Sequence, residues 1–336
     1  MRIVSGFRPT GRLHLGHLWG ALRNWLKLQS QHDCFFFIAD WHALTDGYEK
    51  TEQLVANGLE MLIDWLAAGL DPASAVLFCQ SAVKEHAELH VLFSMVVPTP
   101  WLIRNPTIKE HARELGLIKD DDESAMMQIN YGLLGYPVLQ AADVAVYKAE
   151  GVPVGVDQAP HIEITREIVR RFNSLYSPVF PEPKALLTEV PKIPGIDGRK
   201  MGKSYNNAVF LSDPPKEVDA KLSRMMTDPR RVRRSDPGDP KDCPAFNLHR
   251  VYCTADEIDY VTKGCRSAAI GCLECKRIMI KHVIADLEPI QARRAELERS
   301  PDDVRAVLAD GNRRARTEAA KTMDEVRRAM HLASEC

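Results

Sequence analysis

Apolar residues along the chain switch between two patterns. Arg2 to Ser5 reads as a short strand, and Cys34 to Ala39 and Ala75 to Cys79 are continuous apolar runs of strand length. Between them, Leu15 to Leu28, Glu52 to Leu66 and Lys84 to Val97 repeat apolar residues at helical spacing. Val152 to Val156 reads as a further strand, followed by a helix from Pro160 to Phe172. Strands that are apolar throughout, alternating with amphipathic helices, predict a doubly wound parallel sheet covered on both faces, a Rossmann-like α/β fold. Pro178 to Pro194 is proline-rich and reads as irregular, leading into a glycine-dotted loop over 195–202. Beyond Leu211 strand signals fade, and Ile278 to Leu297 and Val304 to Met330 read as helices. The expected division is an α/β domain over 1–210 and an α-helical domain over 211–336.

Composition narrows the classes. With 336 residues and 45% apolar content the chain can bury a sizeable core, which excludes global disorder. No run reaches the 18 apolar residues of a membrane span, and the N-terminus lacks the apolar stretch of a secretion signal. The expected compartment is therefore the cytoplasm. The net charge of −2 averages −4 through residue 210 and +2 beyond it, with Arg230, Arg231, Arg233 and Arg234 in one cluster. Such a cluster suits salt-dependent phosphate contacts, as a nucleic acid would offer.

Two segments carry phosphate chemistry. Arg8, Pro9, Thr10, His14, Gly16 and His17 lie where the first strand turns into the first helix. That position is the carboxyl edge of a parallel sheet, and a helix N-terminus there offers free N–H groups and a positive dipole end. His14 and His17 share a helix face and can aim donors at phosphate, while Gly16 leaves room for a flat base. The second segment, Lys200-Met201-Gly202-Lys203-Ser204, closes a loop with three glycines and three cations. Lysine serves phosphate as a point charge, and a mobile loop delivers it when needed. Each segment alone would equally suit a capped helix end or a solvated basic loop; the pair is far more specific.

Together they resemble the paired signature motifs of class I aminoacyl-tRNA synthetases. The segments from Phe36 to Thr45, from Tyr136 to Asp143 and from Val152 to His161 resemble the tryptophanyl-tRNA synthetase family. The resemblance implies an enzyme that joins L-tryptophan to ATP with magnesium, releases pyrophosphate, and passes the amino acid to tRNA-Trp, acting as a homodimer. By position in the family, Arg8, Pro9, Thr10, Gly16, His17, Gly155, Val156, Asp157, Ile193 and the loop from Lys200 to Ser204 would contact ATP. Lys109 would reach the phosphates. Asp143 would accept the indole N–H, with His42, Tyr136, Gln140 and Gln158 around the amino acid. The substrate carboxylate is the nucleophile, so catalysis reduces to positioning and charge stabilisation. The chain departs from the family at Gly202, at Gln140 and at Arg8.

Five of eight cysteines crowd into 33 residues, and Cys272 and Cys275 form a C-x2-C step. Four thiolates at such spacing can bind zinc or an iron–sulfur cluster, and five cysteines can also simply pack a core. The array Cys243, Cys265, Cys272, Cys275 resembles one that holds a 4Fe–4S cluster in a subset of bacterial tryptophanyl-tRNA synthetases. Cys253 is left over, as a buried thiol on a helix. Competing readings are a tyrosine-specific relative, a nucleotidyltransferase without an RNA partner, and a non-catalytic binding protein.

Overall fold

The first apolar run forms β1 (Arg2–Phe7), at the centre of five parallel strands ordered β3-β2-β1-β4-β5, with β2 Asp33–Ile38, β3 Ala75–Cys79, β4 Gly151–Val154 and β5 Lys184–Leu187. This computed structural model describes residues 1–119, 123–155, 159–187 and 193–332. The chain lays strands outward from β1 and then returns to β1's other side, so the order reverses between β1 and β4. A crevice opens at that reversal, outside the carboxyl ends of the strands.

Fifteen helices are described in the same residues: α1 (Leu15–His17), α2 (Arg23–Leu28), α3 (Asp40–Gly47), α4 (Leu54–Ala68), α5 (Glu85–Ser94), α6 (Thr99–Ile103), α7 (Pro106–Glu114), α8 (Glu123–Met126), α9 (Tyr131–Ala145), α10 (Ala159–Leu175), α11 (Pro215–Ser223), α12 (Pro244–Tyr252), α13 (Ala255–Arg266), α14 (Cys272–Arg299) and α15 (Pro301–Ala329). A π-helical turn, Leu18–Leu22, joins α1 to α2. The expected helix over 15–28 is thus one continuous helical stretch.

Side chains of the strands alternate between two apolar clusters. Val4, Phe35, Phe37, Val76 and Phe78 enter one; Ile3, Cys34, Phe36, Ile38, Ala75 and Leu77 enter the other. This is why the strands read as continuous apolar runs: both faces are covered. The first face is covered by residues of α5, α9, α10 and α15, the second by residues of α2, α4, α11 and α14.

The chain past residue 210 is helical, as expected, but its helices pack onto the sheet layer. Met279, Val283 and Leu287 of α14 lie in the second cluster, and Ala315, Ala319 and Met323 of α15 lie in the first. At Gly311 the backbone of α15 meets the exposed edge of β3: a Cβ there would stand 1.8 Å from the Leu77 carbonyl oxygen. Asn312 Oδ1 accepts the Cys79 N–H at 2.8 Å beside it, so α15 covers an edge strand. A small third cluster, Phe246, Val261 and Ile270, lies among the cysteines.

One expectation needs correcting. The proline-rich stretch over 178–194 contains β5, which pairs with β4 from Gly151↔Lys184 to Val154↔Leu187. No helix among the described residues is long and apolar enough to cross a membrane.

Candidate active site

The crevice between β1 and β4 is a cleft of about 800 Å³. One wall comes from α9, where Tyr136, Gln140 and Asp143 are four and three residues apart and share a face. Asp143 is 1% exposed. Its Oδ1 accepts from Gln80 Nε2 at 2.7 Å and meets His86 Nδ1 at 2.6 Å, and its Oδ2 meets His42 Nε2 at 2.7 Å. Burial alone would raise this carboxyl, but the His42 and His86 contacts outweigh it and hold Asp143 well below the usual carboxylate range. An ionised carboxylate only accepts, so both histidines donate from these nitrogens. His86 Nε2, 2.7 Å from the Tyr147 hydroxyl, then accepts from it when the ring is neutral. Oδ2 keeps one lone pair beside His42, enough for a single N–H of a guest. Gln80 and His86 were missed by sequence reasoning; the only signal was a polar residue, Gln80, directly after the apolar run of β3.

Tyr136 lies edge-on to the His111 ring, with its hydroxyl 3.3 Å from His161 Nε2, and burial pushes the phenol upward. Val156, Asp157 and Gln158 lie outside the described residues; Gly155, just before them, lines the cleft.

On the opposite wall the two signature segments are hydrogen-bonded to each other. Leu15 N–H donates to the Val209 carbonyl at 3.0 Å and Leu211 N–H to the Leu13 carbonyl at 2.9 Å. The turn after β1 is therefore strapped to the strand-like segment that follows the basic loop. The His14 and His17 rings stack at 3.7 Å. Burial, aided by the positive charge of Lys203, lowers His14 to about 4 and His17 to about 3, so both rings are neutral at pH 7. His17 Nδ1 accepts the His14 N–H at 3.3 Å, which leaves Nε2–H as the donor His17 can offer. Only His17 lines the cleft. This corrects the expectation that both histidines aim donors outward. The space above Gly16 is also taken: a Cβ there would stand 3.0 Å from the His14 ring, so the missing side chain makes room for an imidazole.

The basic loop is anchored at its centre. Met201 is buried in the second apolar cluster with Ile193, between Lys200 and Lys203. Asn207 staples the loop: its Oδ1 accepts the Gly202 N–H at 2.8 Å, and its Nδ2 donates to Asp197 at 2.7 Å and to the Lys200 carbonyl at 3.1 Å. Lys203 Nζ donates to the Thr10 carbonyl, which brings it to the first signature turn. Burial lowers Lys203 to about 8, leaving it cationic at pH 7. Lys200 lines the cleft, whereas Ser204 is exposed. Arg8 lines the cleft but its guanidinium is paired with Asp46, at 3.0 Å for Nη1 to Oδ2, and Asp46 also meets His111 Nε2 at 3.1 Å. Pro9 is buried outside the lining. Lys109 sits on α7, but the side chains of α7 that line the cleft are Thr107, Glu110, His111 and Glu114.

Residues 1–288 match the family model of class I tRNA synthetases (W and Y). The tryptophan–tRNA ligase of Thermotoga maritima is 52% identical over 334 aligned residues, covering 99% of each chain. That of Aquifex aeolicus is 48% identical, covering 99% of this chain and 100% of its own. The chain belongs to the class I aminoacyl-tRNA synthetases. The solved tryptophanyl-tRNA synthetase of Campylobacter jejuni, complexed with ADP and tryptophan, superposes with a TM-score of 0.85 at 30% identity, covering 99% of this chain and 100% of that one.

Away from the cleft this synthetase gathers its cysteines. Cys243 caps α12, Cys265 lies near the end of α13, and Cys272 and Cys275 open α14. All four line one small enclosed space with His249, Arg231 and Lys276. Arg231 is 9% exposed and donates to the Ile270 carbonyl at 2.5 Å and the Arg234 carbonyl at 3.0 Å, with Nη1 3.9 Å from Cys265 Sγ. This corrects its reading as a surface phosphate contact; Arg230, Arg233 and Arg234 stay exposed. Cys253 lies 3.3 Å from His249 Nδ1, and Cys275 3.3 Å from His249 Nε2.

Proposed function

We infer that this synthetase is a tryptophan–tRNA ligase. It activates L-tryptophan with ATP, releases pyrophosphate, and transfers tryptophan to the 3′ end of tRNA-Trp. The observation that carries the reading is the cleft at the strand reversal, where an ionised, buried Asp143 faces a wall of neutral His17 and cationic Lys200. Indole offers one N–H, and Oδ2 of Asp143 has one free position for it. A site built this way penalises a phenyl ring, which would leave the acceptor unpaired. Tyr136, Gln140 and Gly155 border the same pocket. The substrate carboxylate attacks the α-phosphate in line, so the chain's task is placement and charge. His17 Nε2–H, Lys200 and Lys203 face the phosphates and stabilise the leaving pyrophosphate. Magnesium, when bound with ATP, neutralises phosphate oxygens further.

The decisive assay is pyrophosphate exchange with each amino acid in turn. Exchange with tryptophan alone is expected; exchange with tyrosine and none with tryptophan would overturn the assignment.

The four-cysteine site is read as the seat of a 4Fe–4S cluster held by Cys243, Cys265, Cys272 and Cys275. Thiolate ligands carry negative charge, and the site meets it with Arg231 and Lys276, both buried. Zinc thiolates, with bonds of about 2.3 Å, crowd four sulfurs to within about 4 Å of one another. Among the described residues, the one trio of Cys, His or carboxylate ligand atoms within 4.8 Å of each other is Cys253, Glu257 and His282. That trio is distinct from the four cysteines. Cys243, Cys265, Cys272 and Cys275 would hold the cluster from α12, α13 and α14, beside a small apolar core. Protein purified without oxygen should be brown, with a band near 400 nm and iron matched by acid-labile sulfide. Stoichiometric zinc in colourless protein would contradict the cluster.

Exposed Arg230, Arg233 and Arg234 beside this site suit the tRNA backbone. Exposed Val91 and Met95 at α5 and exposed Tyr131 at the start of α9, which packs on α5, offer an apolar surface that suits a homodimer. Work on tRNA fits the cytoplasm.

A further inference from the structure

Directly behind the ATP signature turn sits an ion pair that the chemistry above does not use. Asp64 of α4 is 0% exposed and Arg294 of α14 is 4% exposed. Asp64 Oδ2 accepts the Leu13 N–H at 2.6 Å, while its Oδ1 receives Arg294 Nη1. Arg294 also reaches Glu60, and Glu298 at 3.0 Å. Leu13 is the residue before His14, and its carbonyl is already fixed by the Leu211 N–H at 2.9 Å. Both backbone polar groups of Leu13 are thus held, one by the segment after the basic loop and the other by a buried carboxylate.

A buried ion pair is poor evidence for stability, because well-packed apolar residues of similar volume often replace one at no cost. What an apolar pair could not do is accept the Leu13 N–H. Without that acceptor a buried donor is orphaned, and the turn must shift to satisfy it. His14 and His17 would move with it, and a misplacement of about 1 Å in a reacting site costs on the order of 100-fold. Burial pushes the Asp64 carboxyl up to about 6 against the pull of Arg294, so it remains ionised at neutral pH. The negative charges of Asp64 and Glu60 also favour the charged form of Lys203, so the pair is felt at both signature segments.

We propose that Asp64 is a positioning residue for adenylate formation: it fixes the backbone of the ATP-binding turn at Leu13, and Arg294 holds it there from α14. This assigns a task to the far end of the helix whose first turn carries Cys272 and Cys275. The two ends are anchored independently, through Lys276 to the Ser223 and Met225 carbonyls at one and through Gln291 to the Leu211 and Asp213 carbonyls near the other. The proposal rests on the assignment of the cleft to tryptophan activation.

The test is tryptophan-dependent pyrophosphate exchange in three proteins: the parent, Asp64→Asn, and the double variant Asp64→Leu/Arg294→Met. For Asp64→Asn we expect kcat/KM for ATP to fall at least tenfold while KM for tryptophan stays within twofold. The double variant should melt within a few degrees of the parent and still lose at least tenfold in kcat/KM for ATP. An apolar pair that exchanges at the parent rate would overturn the proposal, as would losses shared equally between ATP and tryptophan. If the double variant does not fold, Arg294→Lys replaces it. It keeps the charge but not the fork, so its kcat/KM for ATP should lie between those of the parent and Asp64→Asn; parity of all three overturns the proposal. A parent without tryptophan-dependent exchange would instead defeat the assignment of the cleft.

Discussion

The cleft and the cysteine centre both set cations against negative charge, but they do so in opposite ways. In the cleft the cations sit on a loop: Lys200 is exposed, and Lys203 is half-buried where it touches Thr10. In the cysteine centre the cations are buried and their protons are committed to named carbonyls, Arg231 to Ile270 and Arg234, Lys276 to Ser223 and Met225. A nucleotide comes and goes, so its cations must be free to re-hydrate between turnovers. A cluster of the kind proposed for the cysteines would stay, and its cations could be locked. The lesson is that burial separates a site built for turnover from one built for retention.

The comparison can be broken at several points. The largest effect is expected at Asp143, the buried anchor of the tryptophan side. Asp143→Ala strands donors on His42, Gln80 and His86 and should cost about 3–5 kcal/mol in stability, with loss of tryptophan activation. Denaturant unfolding alongside exchange assays reads both; an unchanged midpoint would mean the network is slack. Next, Lys203→Ala should cut exchange by about 100- to 1,000-fold with little change in melting temperature, since a loop cation serves the transition state rather than the fold. The same lysine predicts a pH limb. With burial holding Lys203 at about 8, against Asp64 and Glu60 and together with Arg12, its charge is lost as pH rises through about 8. The value of kcat/KM for ATP should therefore fall above pH 8, and Lys203→Arg should move that limb upward.

Arg231→Met should do the reverse: exchange near parental, but iron lost roughly 10- to 100-fold more readily to a chelator. Loss of exchange with iron retained would erase the distinction between the two regions. The smallest effect is expected at Gly202. Its backbone is extended and a Cβ would meet Tyr205 at 3.4 Å, an ordinary contact. Gly202→Ser should change stability by less than about 0.5 kcal/mol, measured by thermal unfolding. Here the glycine adds little flexibility, because Asn207 already holds the loop.

Much of this was legible in the sequence, and the failures have physical causes. β1, β2 and β3 were plain because strands covered on both faces are apolar throughout. β5 was hidden because it is a four-residue edge strand, Lys-Ala-Leu-Leu, with both ends exposed. The gathering of Cys243, Cys265, Cys272 and Cys275 around one space was legible because thiol spacing is local. Arg231 was misread because a cation in an arginine cluster looks solvated until the fold buries one of the four. Asp143 was found through family position, but Gln80 and His86 come from other elements, and Asp64 meets Arg294 across 230 positions. Tertiary pairings of that kind leave no periodic trace. Neither did the return of α15 onto β3, which sequence alone assigned to a separate helical domain.

The central claim is that the two regions do separable work: the cleft makes the adenylate, and the cysteine centre orders the surface that meets tRNA. The most direct measurement is the ratio of tRNA charging to pyrophosphate exchange in Cys265→Ser, which removes one proposed cluster ligand outside the cleft lining. Exchange within about threefold of the parent, with tRNA charging down at least tenfold, is the predicted result. Equal losses in both reactions would contradict it.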